Sequence, residues 1–299
     1  MKRLRNPGKN VLRRFHTWLF LLPAITLLAF VGAIPLALNA WHSLFEVFTL
    51  DSKFWVGFEW YRQLLTSERF YASLGRSLGF SAVVIAVQFP LGLFIALNLP
   101  RSGGLRTLGL LLLALPLVVP WNMIPAIWLS LINTESGYVG RTMVWAGIDF
   151  DYKFNALHTW ILLVVMDTWH WVGLVAILAC SGLASIPPAY YQAAAIDQAS
   201  RLQVFRYIEL PRLKAVLLMA LMLRFMDSFM IYVEAFGINA GGPRGATTFL
   251  SLDLGEEIKA FNYGPAAARS VVYFIMTLAI VFAFWRIMTS EDRRNAGAA

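Results

Sequence analysis

Six apolar runs constrain this chain more than any other feature, because each is long enough to cross about 30 Å of hydrocarbon as a helix. They lie near residues 16–43, 76–98, 106–132, 156–183, 212–238 and 268–289. The expected fold class is therefore all-α, a polytopic membrane protein with six transmembrane helices. Composition agrees: 59% of the 299 residues are hydrophobic and only 14% charged, outside the range of soluble globular domains.

The net charge of +8 would suit nucleic acid if it lay on one soluble face, so its distribution decides the matter. Lys2, Arg3, Arg5, Lys9, Arg13 and Arg14 precede the first run. With six spans both termini share a side, which then holds 15 basic residues against the acids Asp197, Glu209, Glu291 and Asp292. The opposite side has 9 basic residues and 10 acids. The positive-inside rule puts both termini in the cytoplasm, and nucleic acid is excluded as a partner. The run from Trp18 to Trp41 is too long for a signal peptide and has no clear cleavage site, so it reads as an uncleaved first span of the inner membrane. The organisation expected is a cytoplasmic segment 1–15, one transmembrane domain 16–290 and a tail 291–299.

Several kinds of chemistry are excluded. A single cysteine, Cys180, rules out a disulfide framework and a cysteine-rich metal site. The four histidines, His16, His42, His158 and His170, are scattered, and no HExxH motif occurs. No catalytic residue and no metal ligand set is expected. A G-x-x-x-x-G-K-[ST] phosphate loop is also missing, so this chain binds no ATP by itself.

The loops are unequal. Residues 44–75 and 133–155 carry Trp55, Trp60, Tyr61, Trp145 and Tyr152, and suit short interfacial helices anchored in the headgroup zone. On the basic side one connection, from Leu99 to Leu105, is short. The other, residues 185–211, is long enough to be a functional element. Its Ser185 is an expected N-cap with Pro187 and Pro188 entering a first short helix that runs to about Gln198. Ser200 with Gln203 fits a capping box, so a second helix should run to about Ile208 and end at Pro211, where the fifth span starts. Ala193, Ala194 and Ala195 present a smooth surface suited to packing into a partner's groove.

These residues resemble the EAA loop of binding-protein-dependent ABC importer permeases, which reads Glu-Ala-Ala, three residues, Gly, and after a spacer Ile-x-Leu-Pro. Here the pattern is carried by Gln192, Ala193, Ala194, Asp197, Ala199, Ile208, Leu210 and Pro211. Trp169-His170-Trp171-Val172-Gly173, Gly182-Leu183-Ala184-Ser185-Ile186-Pro187, Gly241-Gly242-Pro243 and Tyr263-Gly264-Pro265-Ala266-Ala267-Ala268 are similar to the carbohydrate and polyol branch of that family. The resemblance implies a type I importer permease whose Gln192 to Ala199, with Gln198, Arg201, Leu210 and Pro211, form a coupling helix and its support, seated in a cytoplasmic ATPase. It further implies a related second permease, two ATPase copies that handle ATP and Mg, and an extracytoplasmic solute-binding protein. Two positions depart from the pattern. Gln192 replaces the usual Glu and loses its charge, and Gln198 replaces the usual Gly, so the chain must either stay helical there or accept a left-handed strain of roughly 1 to 2 kcal/mol.

Polar groups inside the spans mark the expected solute path, because hydrocarbon tolerates them only where they face a cavity or a partner. Asp167, His170 and Trp171 lie at i, i+3 and i+4 on the fourth run; Arg224, Asp227 and Ser228 share that spacing on the fifth. Asn122 sits among Pro116, Pro120 and Pro125, which should kink the third run, and Tyr232 and Glu234 lie toward the external end of the fifth. A carboxylate beside an aromatic ring suits a small polar solute rich in hydroxyls. The bland alternative is that Arg224 and Asp227 neutralise each other within one helix and that His170 is a packing residue. A proton-coupled secondary transporter using Asp167, Asp227 and Glu234 is the second functional reading, although six spans without visible internal repeats argue against it. An intramembrane enzyme is the third.

Overall fold

A computed structural model describes residues 20–47 and 52–297, with side chains described to residue 289. The expected segment 1–15, its six basic residues and the start of the first span lie outside the described residues. Helix α13 continues through the first part of the expected tail 291–299.

The order is α1 (Phe20–His42), the strands β1 (Phe45–Val47) and β2 (Lys53–Trp55), α2 (Glu59–Thr66), α3 (Glu68–Asn98), α4 (Gly104–Val118), α5 (Ile124–Ile132), α6 (Tyr138–Trp145), α7 (Ala156–Ala184), α8 (Pro188–Ile196), α9 (Arg201–Val204), α10 (Leu210–Phe229), α11 (Val233–Asn239), α12 (Leu250–Lys259) and α13 (Tyr263–Gly297). Two compact units result. One comprises the described residues up to Thr66 with Glu257–Ile275, and the other comprises Ser67–Glu256 with the chain from Met276.

In the first unit α1 carries a π-helical stretch at Ala29–Ala33 and buries none of its residues. The loop expected to be helical instead begins as an antiparallel hairpin, Phe45 opposite Trp55, held by the edge-on contact of those rings at 5.1 Å. Only then does α2 form.

The second unit holds most of the helices. Among the described residues of the two units taken together, five helices are long and apolar enough to span a membrane, and a sixth span results if α4 and the Trp121–Ile132 segment are counted together. Those two halves meet at 84°, so the third run is not one straight helix. Pro120 cannot donate a backbone hydrogen bond, and it biases Val119 toward the extended backbone found there. The fifth run also departs from one continuous span, because α10 stops at Phe229 and α11 begins at Val233, with Tyr232 between them. The second run starts eight residues earlier than expected, at Glu68. Helix α12 was not foreseen.

Close helix crossings rest on small residues. Gly173 of α7 lies so near the Leu113 carbonyl of α4 that a Cβ would collide with it, and a Cβ on Gly182 would meet Leu213. Around Phe80, Leu163, Met166 and Phe249 a buried cluster closes between α3, α5, α7, α11 and the start of α12.

Candidate functional site

Two regions hold the residues singled out above. In the span bundle, Arg224 of α10 is fully buried and donates in three directions. Its Nη2 meets Asp167 Oδ2 at 2.6 Å, its Nη1 meets Asp227 Oδ2 at 2.6 Å, and its Nε meets Gln88 Oε1 at 2.8 Å. Gln88 of α3 donates through Nε2 to the same Asp167 oxygen at 2.6 Å, closing a ring of three side chains from three helices. The face of Trp171 receives the guanidinium at 4.6 Å.

A buried charge is tolerated only when paired and hydrogen-bonded, and the ring meets that condition. The two acids differ within it. Asp167 is 2% exposed and enclosed, whereas Asp227 keeps 31% of its side chain exposed. One guanidinium faces two carboxyl groups, Asp167 on Nη2 and Asp227 on Nη1. Neutralisation within one helix does occur between Arg224 and Asp227, but it is only part of the arrangement.

His170 is buried and accepts a hydrogen bond from Trp121 Nε1 at 3.1 Å. Its ring stands edge-on to Trp171, as does that of Trp121, so the break in the third run is pinned to α7. Asn122 is exposed on that break. Ser228 is buried and donates to Ser81 Oγ at 3.0 Å. Tyr232 stacks on Phe236 at 5.5 Å and lies against Gly255, apart from the ring. Glu234, expected near an external end, is buried in the first turn of α11. Thus Asp167, His170, Trp171 and Asp227 come together, Asn122 adjoins them through Trp121, and Ser228 and Tyr232 lie on other contacts.

Gln88 was missed, as was the row it belongs to. Ser73, Ser77 and Ser81 recur every four residues on α3, and all are buried with Gln88. Ser77 Oγ accepts from the Leu250 amide at 3.1 Å, and Arg76 donates to the Thr248 carbonyl at 2.8 Å. The four-residue serine period was the available signal.

The second region is the 185–211 loop. Ser185 is not an N-cap: its hydroxyl donates to the Gly182 carbonyl at 2.7 Å and closes the end of α7. Pro187 holds the N-cap position of α8 and Pro188 its first turn. Gln198 takes the left-handed conformation at φ +50°. Its amide bonds the Ala195 carbonyl at 3.2 Å and the Ala199 amide bonds the Ala194 carbonyl at 2.9 Å, the Schellman pattern that glycine usually serves. The strain is accepted because both terminal carbonyls gain donors. Ser200 and Gln203 form the expected capping box, with Gln203 Oε1 accepting from the Ser200 amide at 2.7 Å.

Pro211 does not end the second helix. A π-helical turn at Phe205–Glu209 carries α9 straight into α10, and the Leu210 amide reaches back to the Phe205 carbonyl. The wider turn makes room where the Pro211 ring would otherwise clash with the carbonyl four residues earlier. Of the three alanines, Ala193 and Ala195 are exposed and Ala194 is buried. Gln192, Asp197 and Gln198 are exposed, and Ile196 is 82% exposed. Glu209, only 1% exposed, ties the two halves of the loop together. Its Oε1 accepts from Arg201 Nη1 at 2.7 Å and from the Tyr191 hydroxyl at 3.3 Å. Burial and the adjacent Glu209 carboxylate push the Tyr191 phenol above its usual value, which keeps that proton available for donation.

Span-length helices around a buried polar cluster, joined by a long loop of short helices, suit a membrane transport permease. Residues 88–296 match the binding-protein-dependent transport system inner membrane component family, and the chain belongs to it. It is similar to the trehalose/maltose transport system permease protein MalF of Thermococcus litoralis, 29% identical over 90% of this chain and 92% of that protein. It is also similar to the sulfoquinovosyl glycerol transport system permease protein SmoG of Agrobacterium fabrum, 26% identical over 92% and 90%. Among solved structures, a bacterial ABC transporter that imports the acidic polysaccharide alginate shares the fold, with a TM-score of 0.79 at 21% identity, covering 95% of this chain and 98% of that one. The family and fold are those of type I ABC importer permeases, and nothing in these likenesses supports the secondary-transport alternative.

Proposed function

We propose that this chain is one of two related permease subunits through which an ABC importer moves a small carbohydrate or polyol, with ATP and Mg bound by a partner. Both termini face the cytoplasm, the 185–211 loop docks on an ATPase subunit, and a solute-binding protein delivers solute to the opposite face. The relatives named for trehalose, maltose and a sulfoquinovosyl glycerol support the solute class.

The observation that carries the coupling role is α8, an exposed short helix whose Ile196 is 82% exposed outside the spans. Both ends of its loop lead directly to the polar cluster. Asp167 lies 17 residues before Ala184 on α7, about 26 Å along the axis, and the segment from Arg201 reaches Arg224 without a helix break, about 35 Å on. Closure of an ATPase around α8 would therefore shift the two helices that share the Arg224 ring, which lets the solute path change its open side.

Within the path, the partly exposed Asp227, the Trp171 ring and Asn122 are the groups for solute contact. Asp167 and His170 hold them from behind. Hydroxyls donate to the Asp227 carboxylate while sugar C–H faces pack on the ring. The test is co-expression with the neighbouring transport genes and assay of ATPase activity in proteoliposomes. The complex should contain an ATPase, and one carbohydrate or polyol delivered by the binding protein should raise turnover several-fold. An active, ATP-independent homomer would overturn the proposal.

A further inference from the structure

A cavity of about 530 Å³ lies between the 185–211 loop and the short connection after α3, at the end of the spans away from α12. Its apolar lining includes Leu99, Cys180 and Leu183, and its polar lining is Arg101, Arg106, Arg201, Tyr191, Gln192 and Glu209. Arg201 is already paired with Glu209. Arg101 lies over the Tyr191 ring at 4.4 Å, and Arg106 donates to the Arg101 carbonyl. Among the described residues neither of these two guanidinium groups has an ion-pair partner.

Glu209 supplies an independent sign of a ligand. Its Oε2 is buried with no donor, although an ionised carboxylate oxygen in such a place demands one. The cavity thus combines two available cations, an acceptor lacking a proton donor, and an apolar wall continuous with the spans. Phosphate meets paired arginines well. A primary ammonium next to that phosphate would meet the acid.

We propose that this cavity seats the headgroup of an aminophospholipid from the adjacent leaflet, its phosphate between Arg101 and Arg106 and its ammonium at Glu209, its chains over the apolar wall. The lipid would brace α8 against α9, the two halves of the loop that Glu209 already joins. This holds whichever solute the permease carries and whichever way it faces, since it needs only a leaflet at that end of the bundle.

Native mass spectrometry of the full chain, exchanged into micelles with equal phosphatidylethanolamine, phosphatidylcholine and phosphatidylglycerol, tests it. Phosphatidylethanolamine should be retained about tenfold over phosphatidylcholine, which has the phosphate but no N–H; one charge-assisted hydrogen bond is worth that much. Arg101→Gln with Arg106→Gln, both at the cavity rim, should abolish retention while leaving the melting temperature within a few degrees. Free phosphoethanolamine at millimolar concentration should fail to displace the lipid. Equal retention of all three lipids would overturn the proposal, as would preference for phosphatidylglycerol, an unaffected double variant, or binding of free phosphoethanolamine in place of lipid.

Discussion

Asp167→Ala separates the two acids of the Arg224 ring. In the native chain one Asp167 oxygen accepts from Arg224 Nη2 and from Gln88 Nε2, each at 2.6 Å and both buried. Removing the carboxylate leaves Gln88 Nε2 without its acceptor and strips a counter-ion from a fully buried guanidinium. Breaking a buried pair from one side costs about 3 to 5 kcal/mol. Asp227→Ala takes away one contact, on Nη1, from a side chain that water already reaches in part, so about 1 to 2 kcal/mol is expected after discounting for that exposure. The single cysteine provides the assay. Cys180 is only 7% exposed although it lines a cavity, so a thiol-reactive fluorogenic dye too bulky to enter that cavity, added to the chain in micelles, reports unfolding. Asp167→Ala should melt well below Asp227→Ala, and Asp167→Asn, which keeps an acceptor, should fall between Asp167→Ala and wild type. Uptake should show the reverse order once corrected for folded protein, with Asp227→Ala raising the apparent KM about tenfold or more. If Asp167→Ala melted like wild type while its folded fraction lost uptake, the division into a supporting and a contacting carboxylate would be refuted.

Three further outcomes are expected. Gln198→Gly should relieve a left-handed strain and stabilise the loop by up to about 1 kcal/mol, read as slower amide hydrogen exchange at residues 198–200; faster exchange would show that the turn is held by the Gln198 side chain. Ser200→Ala removes half of a capping box and should cost about 1 kcal/mol, visible as faster exchange at the start of α9 without loss of the spans. Gly173→Ala forces α7 away from the Leu113 carbonyl and should lower the dye-reported melting point by the equivalent of about 1 to 3 kcal/mol, whereas Gly79→Ala, where a Cβ meets nothing within 4 Å, should not.

Helix existence was legible wherever an apolar run was long, because in hydrocarbon the backbone has few alternatives. What the runs did not disclose is continuity. Pro120 breaks the third run by 84°, yet Pro211 and Pro90 sit in helices that continue, and the difference lies in local geometry that composition does not encode. A π turn absorbs Pro211, and nothing comparable precedes Pro120. The loop's cap chemistry was readable at Ser200, where two residues three apart bond each other. It was misread at Ser185, whose hydroxyl serves the helix behind it rather than the one ahead.

The polar residues of the spans show a similar limit. Spacing along one helix identified Asp167 with Trp171 and Arg224 with Asp227, but it carries no information about the neighbour on a third helix. Gln88 therefore went unnoticed although it makes the ring close. Enclosure keeps Asp167, 2% exposed, from meeting a solute, while Asp227, bonded once and 31% exposed, keeps acceptor sites that a solute can reach. At Glu209 one oxygen is shared by Arg201 and Tyr191, and the other has no donor among the described residues. Exposure therefore separates the two aspartates, and an unfilled acceptor beside a cavity marks Glu209; in neither place is the presence of a charge enough to indicate where something from outside the chain belongs.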